Sequence, residues 1–493
     1  MSALAARLAP AGWLFWPAVA AALALVAAGT GLLPLVPFLL VALTAVVLTV
    51  PMRTLTLAFV GLALLADNPA DRPMAGLWKS PFWPIGNLLY ENLHKHTGVQ
   101  ALRFSLIELL IAALLALVAL RRLRADPIDD IGAPRAWANP LLPAWACVFG
   151  AVVALEVWGL ARGGDFRNSL WQLRVLFWLP LLGLLSGSAF ATEGARANLL
   201  RVLMAVSWVR CLTGAWFWYT IGRHRPLDAN YATTHHDSVL TVVAVLIALA
   251  ALVDRPTREH IVLNLVTQPV YLLGLFTNQR RMAILGLGLG LVALVMTGPV
   301  ALRRVLIRLG LLVLPVLVGY TLLGLVSSSR VFAPVHVVQG MAASQDASSQ
   351  TRDIENYNLI QTLRPHLVLG TGFGHEYSEQ VRALRVDQFF AQYRFIAHNS
   401  VLWILSISGI VGFSLLWSVF PLIVRLALYA HARATSTVDR VTAVAALAAT
   451  LAFVVQAWGD MGLIGWMAAL VLASLAGAAG TLATSLPSEG VTA

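Results

Sequence analysis

Long apolar runs separated by short polar stretches occupy most of this chain. About fourteen of these runs approach or exceed the ~18 residues that an α-helix needs to cross a bilayer core. We therefore predict membrane spans at 12–29, 32–50, 53–66, 104–120, 141–160, 171–190, 199–220, 238–253, 260–276, 282–298, 305–326, 399–424, 441–458 and 461–484. Because an open sheet would leave backbone groups without partners in lipid, the predicted fold class is all-α, a polytopic transmembrane helical bundle of about 12–14 spans.

The interval 327–398 is the only long polar stretch between apolar runs. It predicts an outer loop with an amphipathic helix that starts near Ser349 and ends before Pro365, because proline disfavours helix at the preceding residue. The predicted organisation is therefore 1–220, N-terminal membrane helices with an outer loop at 67–103; 221–326, core membrane helices with outer arginine clusters; 327–398, an extracytoplasmic catalytic loop; 399–484, C-terminal membrane helices; and 485–493, a tail.

Composition and charge agree with a membrane protein. The chain is 59% hydrophobic and 12% charged, whereas a soluble domain has about 25% charged residues, which excludes a soluble domain with one anchor. The net charge of +11 needs no nucleic acid to explain it, since arginines recur in every second loop, as the positive-inside rule requires. This pattern places both termini in the cytoplasm. Cys147 and Cys211 lie inside apolar runs, where we expect packing rather than a disulfide or a metal site.

Two arginine pairs break the charge rule, because this topology puts them on the outer side. They are Arg223 with Arg225, and Arg280 with Arg281 at the start of a glycine-rich helix. A charge at membrane depth costs roughly 2.5–3.5 kcal/mol, so an anionic partner at the outer leaflet would offset it. Adjacent guanidinium groups suit a diphosphate. The alternatives are interfacial arginines that anchor the helix, and a plain polar loop around Arg223.

The segment that follows Arg223 contains adjacent histidines. His235, His236 and Asp237 resemble a set of metal ligands. Neighbouring residues on a helix point in different directions, so we do not expect them to share an ion. No metal and no cofactor are predicted for this chain.

The outer loop holds three further candidates. Arg352 is placed to reach an anion over the membrane surface, or else to pair with Glu355 at i, i+3. His398 stands where an apolar helix begins, and a neutral imidazole there would accept a proton from a sugar hydroxyl. The alternative for His398 is a capping or interface residue, while Asn399 or Ser400 is a suitable helix cap.

A glycine-rich stretch lies between these candidates. Gly370, Gly372 and Gly374 alternate with other residues, which permits a tight backbone turn. Their spacing is not that of a dinucleotide-binding fingerprint.

Together these elements resemble the O-antigen ligase and O-antigen polymerase superfamily of bacterial membrane glycan transferases. The resemblance covers roughly 220–415 and rests on a helix-mouth arginine, a long outer loop, an arginine on an amphipathic helix, a glycine turn, a His-Asn pair and a glycine break in the next helix. In this chain these are Arg281, 327–398, Arg352, Gly370 with Gly372 and Gly374, His398 with Asn399, and Gly409 with Gly412. The usual serine before the helix-mouth arginine is replaced by Gln279 and Arg280, so either arginine remains a candidate for that role.

The resemblance implies an inverting, metal-independent transfer of a glycan from undecaprenyl diphosphate to an acceptor hydroxyl outside the inner membrane. Arg280, Arg281, Arg352, Arg223 and Arg225 would bind the diphosphate, His398 would be catalytic, and Gly370, Gly372, Gly374 and Asn399 would be a supporting turn and cap. The expected partners are the lipid-linked donor, a glycan or lipid-core acceptor and membrane lipids, in O-antigen or exopolysaccharide synthesis. A polymerase with the same donor chemistry is an alternative. A flippase or other transporter is a third, although it would be expected to contain internal repeats, and the sequence has no clear one.

Overall fold

A computed structural model describes residues 49–68, 80–100, 102–123, 139–224, 235–278, 280–327, 329, 332, 335, 347–382 and 392–486. Helices dominate this part of the chain, and the prediction of an all-α polytopic bundle is confirmed. The helices are α1 Met52–Leu65, α2 Trp83–Tyr90, α3 Leu93–Thr97, α4 Leu106–Leu123, α5 Leu142–Ala161, α6 Phe166–Ala189, α7 Glu193–Thr220, α8 His235–Asp254, α9 Arg258–Asn278, α10 Arg281–Thr297, α11 Val300–Val326, α12 Ala347–Leu363, α13 Ser400–Trp417, α14 Val419–Arg433, α15 Thr437–Gly459 and α16 Trp466–Ser485.

Twelve of the predicted spans correspond to helices. The spans 12–29 and 32–50 fall outside, or almost entirely outside, the described residues. Among the described residues, 8 helices are long and apolar enough to cross a membrane, counting α13 and α14 as one continuous crossing. Met52–Leu65, Arg281–Thr297 and part of α11 are shorter apolar helices.

Three helices form the centre of the bundle. The membrane segments of α16, α8 and α15 are 94%, 83% and 78% buried, whereas that of α9 is 28% buried and faces outward. Helix α15 packs against α8, α10 and α14, and α16 packs against α6. Small residues line α16, whose buried face is rich in alanine and glycine, and this allows close approach of the neighbouring backbones.

Contacts between helix termini define two ends of the bundle. At one end, called the site end below, Asn278 at the end of α9 donates to Ser238 at the start of α8 (2.7 Å), and Ser400 donates to the Asp460 carbonyl after α15 (2.9 Å). At the opposite end, Arg196 binds Asp439 at 2.6 Å and Arg440 binds the Asp254 carboxylate. In the described part of the bundle, these contacts form one polar layer at each end.

The segment 80–105 forms a small cap at the site end. An isolated antiparallel bridge joins Asn92, between its short helices α2 and α3, to Ser105, just before α4. Arg174 on α6 holds the cap through Asn92 (2.8 Å), the Arg103 carbonyl (2.7 Å) and Glu108 (3.1 Å). This part of the predicted outer loop is thus anchored on the bundle.

Candidate active site

A glutamate–histidine pair is the centre of the candidate site. His398 Nδ1 lies 2.8 and 3.1 Å from the two carboxylate oxygens of Glu355, and the His398 backbone N–H donates to the same carboxylate at 3.3 Å. The Glu355 side chain is 1% exposed and that of His398 is 29% exposed. The carboxylate is therefore shielded while the imidazole still reaches the surface, with Nε2 as the nitrogen left for a substrate.

The pKa of His398 reflects this pairing. Burial alone lowers the pKa of the imidazole, but the hydrogen bond and charge of Glu355, followed by the charge of Asp460, raise it above the ordinary histidine value. The charge of Arg352 acts in the opposite direction. The site thus brings two acidic groups and one guanidinium within electrostatic range of the same imidazole.

The start of α13 fixes the histidine in place. Asn399 is the N-cap residue, and its side chain accepts a hydrogen bond from Leu402 N at 3.1 Å. Trp403, one turn into the helix, donates from Nε1 to the Phe395 carbonyl at 2.7 Å. A capped and buried first turn leaves little freedom to the residue immediately before it, and that residue is His398.

Arg352 and Glu355 both belong to α12, but they do not pair with each other. The Glu355 carboxylate contacts His398, so the i, i+3 pair considered from the sequence is replaced by a contact across 43 positions. Arg352 is half-buried, and its Nε–H has no hydrogen-bond partner in the described part of the chain. A donor of this kind is available for an anion.

Arg280 and Arg281 stand at the start of α10, where Arg280 is the N-cap residue and Arg281 the first helical residue. The next residue, Met282, packs so closely on Gly459 that a Cβ there would meet the methionine sulfur at 2.2 Å. Gly459 ends α15 directly before Asp460, to which Ser400 is bonded. The start of α10 and the start of α13 therefore meet at the end of α15.

The structure does not describe the side chains of the other two arginine candidates, Arg223 and Arg225. Arg223 belongs to a short 3-10 helix, Gly222–His224, that follows α7, and its side chain is outside the described part. Arg225 lies outside the described residues altogether. Their proposed contact with a diphosphate stays a prediction.

Asp237 forms a pattern resembling metal ligands with His235 and His236 in the sequence, but in the structure it pairs with an arginine. Its carboxylate accepts from Arg210 Nε at 2.6 Å, and Arg210 also contacts Asp67 at 3.2 Å and the Leu65 carbonyl at 3.0 Å. His236 packs against Gly465 instead. Asp237 thus belongs to a buried ion-pair cluster joining α7, α8 and the end of α1.

The glycine turn fills a break in α13. Gly370, Gly372 and Gly374 have φ of 68°, 81° and 82°, a region that favours glycine. Gly372 N donates to the Ile407 carbonyl at 2.8 Å, and a Cβ on Gly372 would lie 2.4 Å from Gly159 Cα. The turn is therefore wedged between α5 and α13, where no larger residue fits.

The glycine turn packs against a break in α13 at Gly409. Gly409 has φ 61° and ψ −174° inside α13, so the helix is interrupted there. Ile410 N and Val411 N, which lose their partners within the helix, donate to the Leu367 and Val368 carbonyls at 2.9 and 3.2 Å. The glycine turn and the helix break thus form one interlocked unit on α13, the helix that begins two residues after His398.

Glu355 and Asp460 are the two residues at this site that sequence reasoning missed. The sequence signal for Glu355 was its position on the amphipathic helix that carries Arg352. Asp460 follows an apolar run and precedes Met461 and Gly462, where a carboxylate ending a membrane helix was a signal in itself.

The fold and this site define a class: a multi-pass membrane protein with an acid–histidine pair and arginines at one end of its bundle. Residues 270–417 match the family model described as O-antigen ligase. This match confirms, for the segment 270–417, the resemblance to the O-antigen ligase and polymerase superfamily of membrane glycan transferases. A search of curated proteins returned no match.

Proposed function

We propose that this protein is a ligase that transfers a glycan from undecaprenyl diphosphate to an acceptor hydroxyl at the outer face of the bacterial inner membrane. The observation that carries the proposal is the Glu355–His398 pair, which lies beside Arg352 at the site end. The match to the O-antigen ligase model over 270–417 supports a glycan transferase of the ligase or polymerase type, and a polymerase with the same donor chemistry is the alternative.

In the proposed reaction His398 is the general base. Glu355 holds Nδ1, which fixes the tautomer so that the lone pair lies on Nε2, in the manner of other acid–histidine pairs. Nε2 takes the proton of the acceptor hydroxyl while its oxygen attacks the anomeric carbon. The bond from that carbon to the phosphate oxygen breaks, the configuration inverts, and undecaprenyl diphosphate leaves with the electron pair.

The leaving group is stabilised by guanidinium groups. Arg352 has an unsatisfied donor near His398, and Arg280 and Arg281 stand where α10 begins beside Asp460. Fixed positive charges of this kind neutralise developing negative charge on a diphosphate without a metal ion. The N-terminus of α10 adds the positive end of its helix dipole.

The two polar layers of the bundle support one orientation in the membrane. Arg196, Arg440 and the other arginines paired at the opposite end mark the cytoplasmic side by the positive-inside rule. The site end is then extracytoplasmic, and both termini are cytoplasmic. An acceptor and a donor that are both lipid-anchored meet at that surface.

The first test is the glycan pattern of a strain in which the gene is deleted and then restored. A ligase predicts acceptor without long glycan and a full-length polymer retained on the carrier lipid. Acceptors bearing a single repeat would indicate a polymerase instead, and normal glycan would reject both. His398→Ala is expected to reproduce the deletion while the protein stays in the membrane, and Arg281→Glu is expected to stop use of the donor.

A further inference from the structure

Two unsatisfied polar atoms on α12 point to a binding site for the first sugar of the donor. Buried inside the protein, Asn356 Oδ1 and Arg352 Nε have no hydrogen-bond partner among the described residues. Buried polar groups are nearly always hydrogen-bonded, since an unpaired one has lost its bonds to water without replacement. A missing ligand is a physical reason for two such atoms in one place.

The two atoms lie on the same side of the helix. Residues at i and i+4 are neighbours on a helical surface, and 352 and 356 have that spacing. The rest of the buried side of α12 is fully engaged: Glu355 binds His398, and Asn358 binds the backbone of Gln380 and Val381. The unsatisfied pair therefore lies beside Glu355 on α12, with Arg352 close enough for its charge to act on the imidazole of His398.

The chemistry of the pair is complementary. Arg352 offers an N–H donor with a positive charge, and Asn356 offers a carbonyl acceptor. A ligand that satisfies both must have a negatively charged acceptor and a neutral donor about one helical turn, or about 5–6 Å, apart. A sugar linked through its anomeric carbon to a phosphate has this arrangement, with a phosphate oxygen and a ring hydroxyl or amide N–H.

We propose that Asn356 binds a hydroxyl or amide N–H of the sugar residue directly attached to the diphosphate, while Arg352 binds the adjacent phosphate. The proposal rests on the proposed function, because it takes the lipid diphosphate as the donor. Asn356 is then a specificity-determining residue. It holds the anomeric carbon near His398 and distinguishes a loaded carrier lipid from the bare one that is released.

The test compares the affinity of two probes for the purified full-length protein in lipid nanodiscs. One probe is the lipid-linked glycan that accumulates in the deletion strain, and the other is undecaprenyl diphosphate without sugar. We expect the wild type to bind the loaded lipid about tenfold more tightly, the worth of one well-placed hydrogen bond in a buried site.

Three variants and one control, Gln361→Ala, separate the roles of Asn356 and Arg352. Asn356→Ala is expected to bind both lipids equally. Asn356→Asp retains an acceptor oxygen, so it is expected to weaken both lipids and keep the preference for the loaded one. Arg352→Ala is expected to weaken both by a similar factor, and Gln361→Ala, on the far side of α12, is expected to match the wild type.

The possible outcomes distinguish the role of Asn356 from the proposed function of the protein. A wild-type protein that binds both lipids, with the preference unchanged in Asn356→Ala, would overturn the role of Asn356 and leave the proposed function standing. A wild-type protein that binds neither lipid would overturn both. Thermal stability measured on the same samples excludes misfolding as the cause, and Asn356→Asp provides a second variant if the alanine variant is unstable.

Discussion

Neutralising Glu355 is the sharpest test of the acid–histidine pair. Glu355→Gln keeps the shape of the side chain and replaces a charged acceptor, 2.8 Å from His398 Nδ1, with a neutral amide. A hydrogen bond to a charged group contributes about 1.5–3 kcal/mol. If that contribution is made in the transition state, where the imidazole becomes positive, the rate constant for transfer falls about 10- to 150-fold.

The same substitution changes the dependence of the rate on pH. His398 acts as a base only when neutral, so the wild-type rate rises as pH increases through the raised pKa of His398. Burial lowers that pKa and Glu355 raises it, so removing the Glu355 charge shifts the acid limb of the profile to lower pH. A lower plateau and a limb displaced toward acid are both expected.

The assay is single-turnover transfer from the lipid-linked glycan, measured across the acidic and neutral range with the protein in nanodiscs. Glu376→Gln is the matched control, because Glu376 is 38% exposed and pairs with Arg394 instead of a histidine. An unchanged rate and profile in Glu355→Gln, or a limb displaced to higher pH, would refute the assignment of His398 as a base supported by Glu355.

Three further predictions concern the scaffold. Gly372→Ala is expected to lower the apparent melting temperature in detergent and to reduce the free energy of unfolding by at least about 1–3 kcal/mol, because Gly372 has a positive φ and contacts α5. Gly288→Ala is the control and should be neutral, because the space around Gly288 is open. Arg210→Met leaves the carboxylates that pair with Arg210 buried and uncompensated, which is expected to lower the stability of the fold by about 3–5 kcal/mol. The yield of folded protein should therefore fall sharply, and a normal yield would mean that the ion-pair cluster is dispensable. In a cysteine-free background, Tyr357→Cys should react with an impermeant maleimide on intact cells and Arg255→Cys only after lysis, and the reverse would invert the orientation.

The hydropathy pattern predicted the helices well because the lipid bilayer leaves a membrane span few possible backbone structures. A membrane span must satisfy its own backbone, so an apolar run of sufficient length has few structures open to it. The boundaries shifted by a few residues, as in the predicted span 171–190, which begins at Phe166 after the Asp165 cap. The predicted span 399–424 contains two helices and a break, because average hydropathy does not register the conformation of one glycine.

Pairings between residues that are distant in the chain could not be predicted from the sequence. Glu355 was visible only as a helical neighbour of Arg352, since its true partner lies on another element. Asp237 was visible as a neighbour of two histidines, whereas its partner Arg210 lies in the middle of an apolar run. A charge inside a span was the available signal, because such a residue needs a partner in the bundle.

The wedge of the glycine turn into α13 has a consequence for protein engineering. The amides of Ile410 and Val411, freed by the break at Gly409, donate to the carbonyls of Leu367 and Val368, so we expect the conformation of each segment to depend on the other. A chimera that imports a relative's outer loop must also import its histidine-bearing helix through Val411. Domain swaps intended to retarget the enzyme should therefore place the downstream junction beyond that point rather than at the membrane surface.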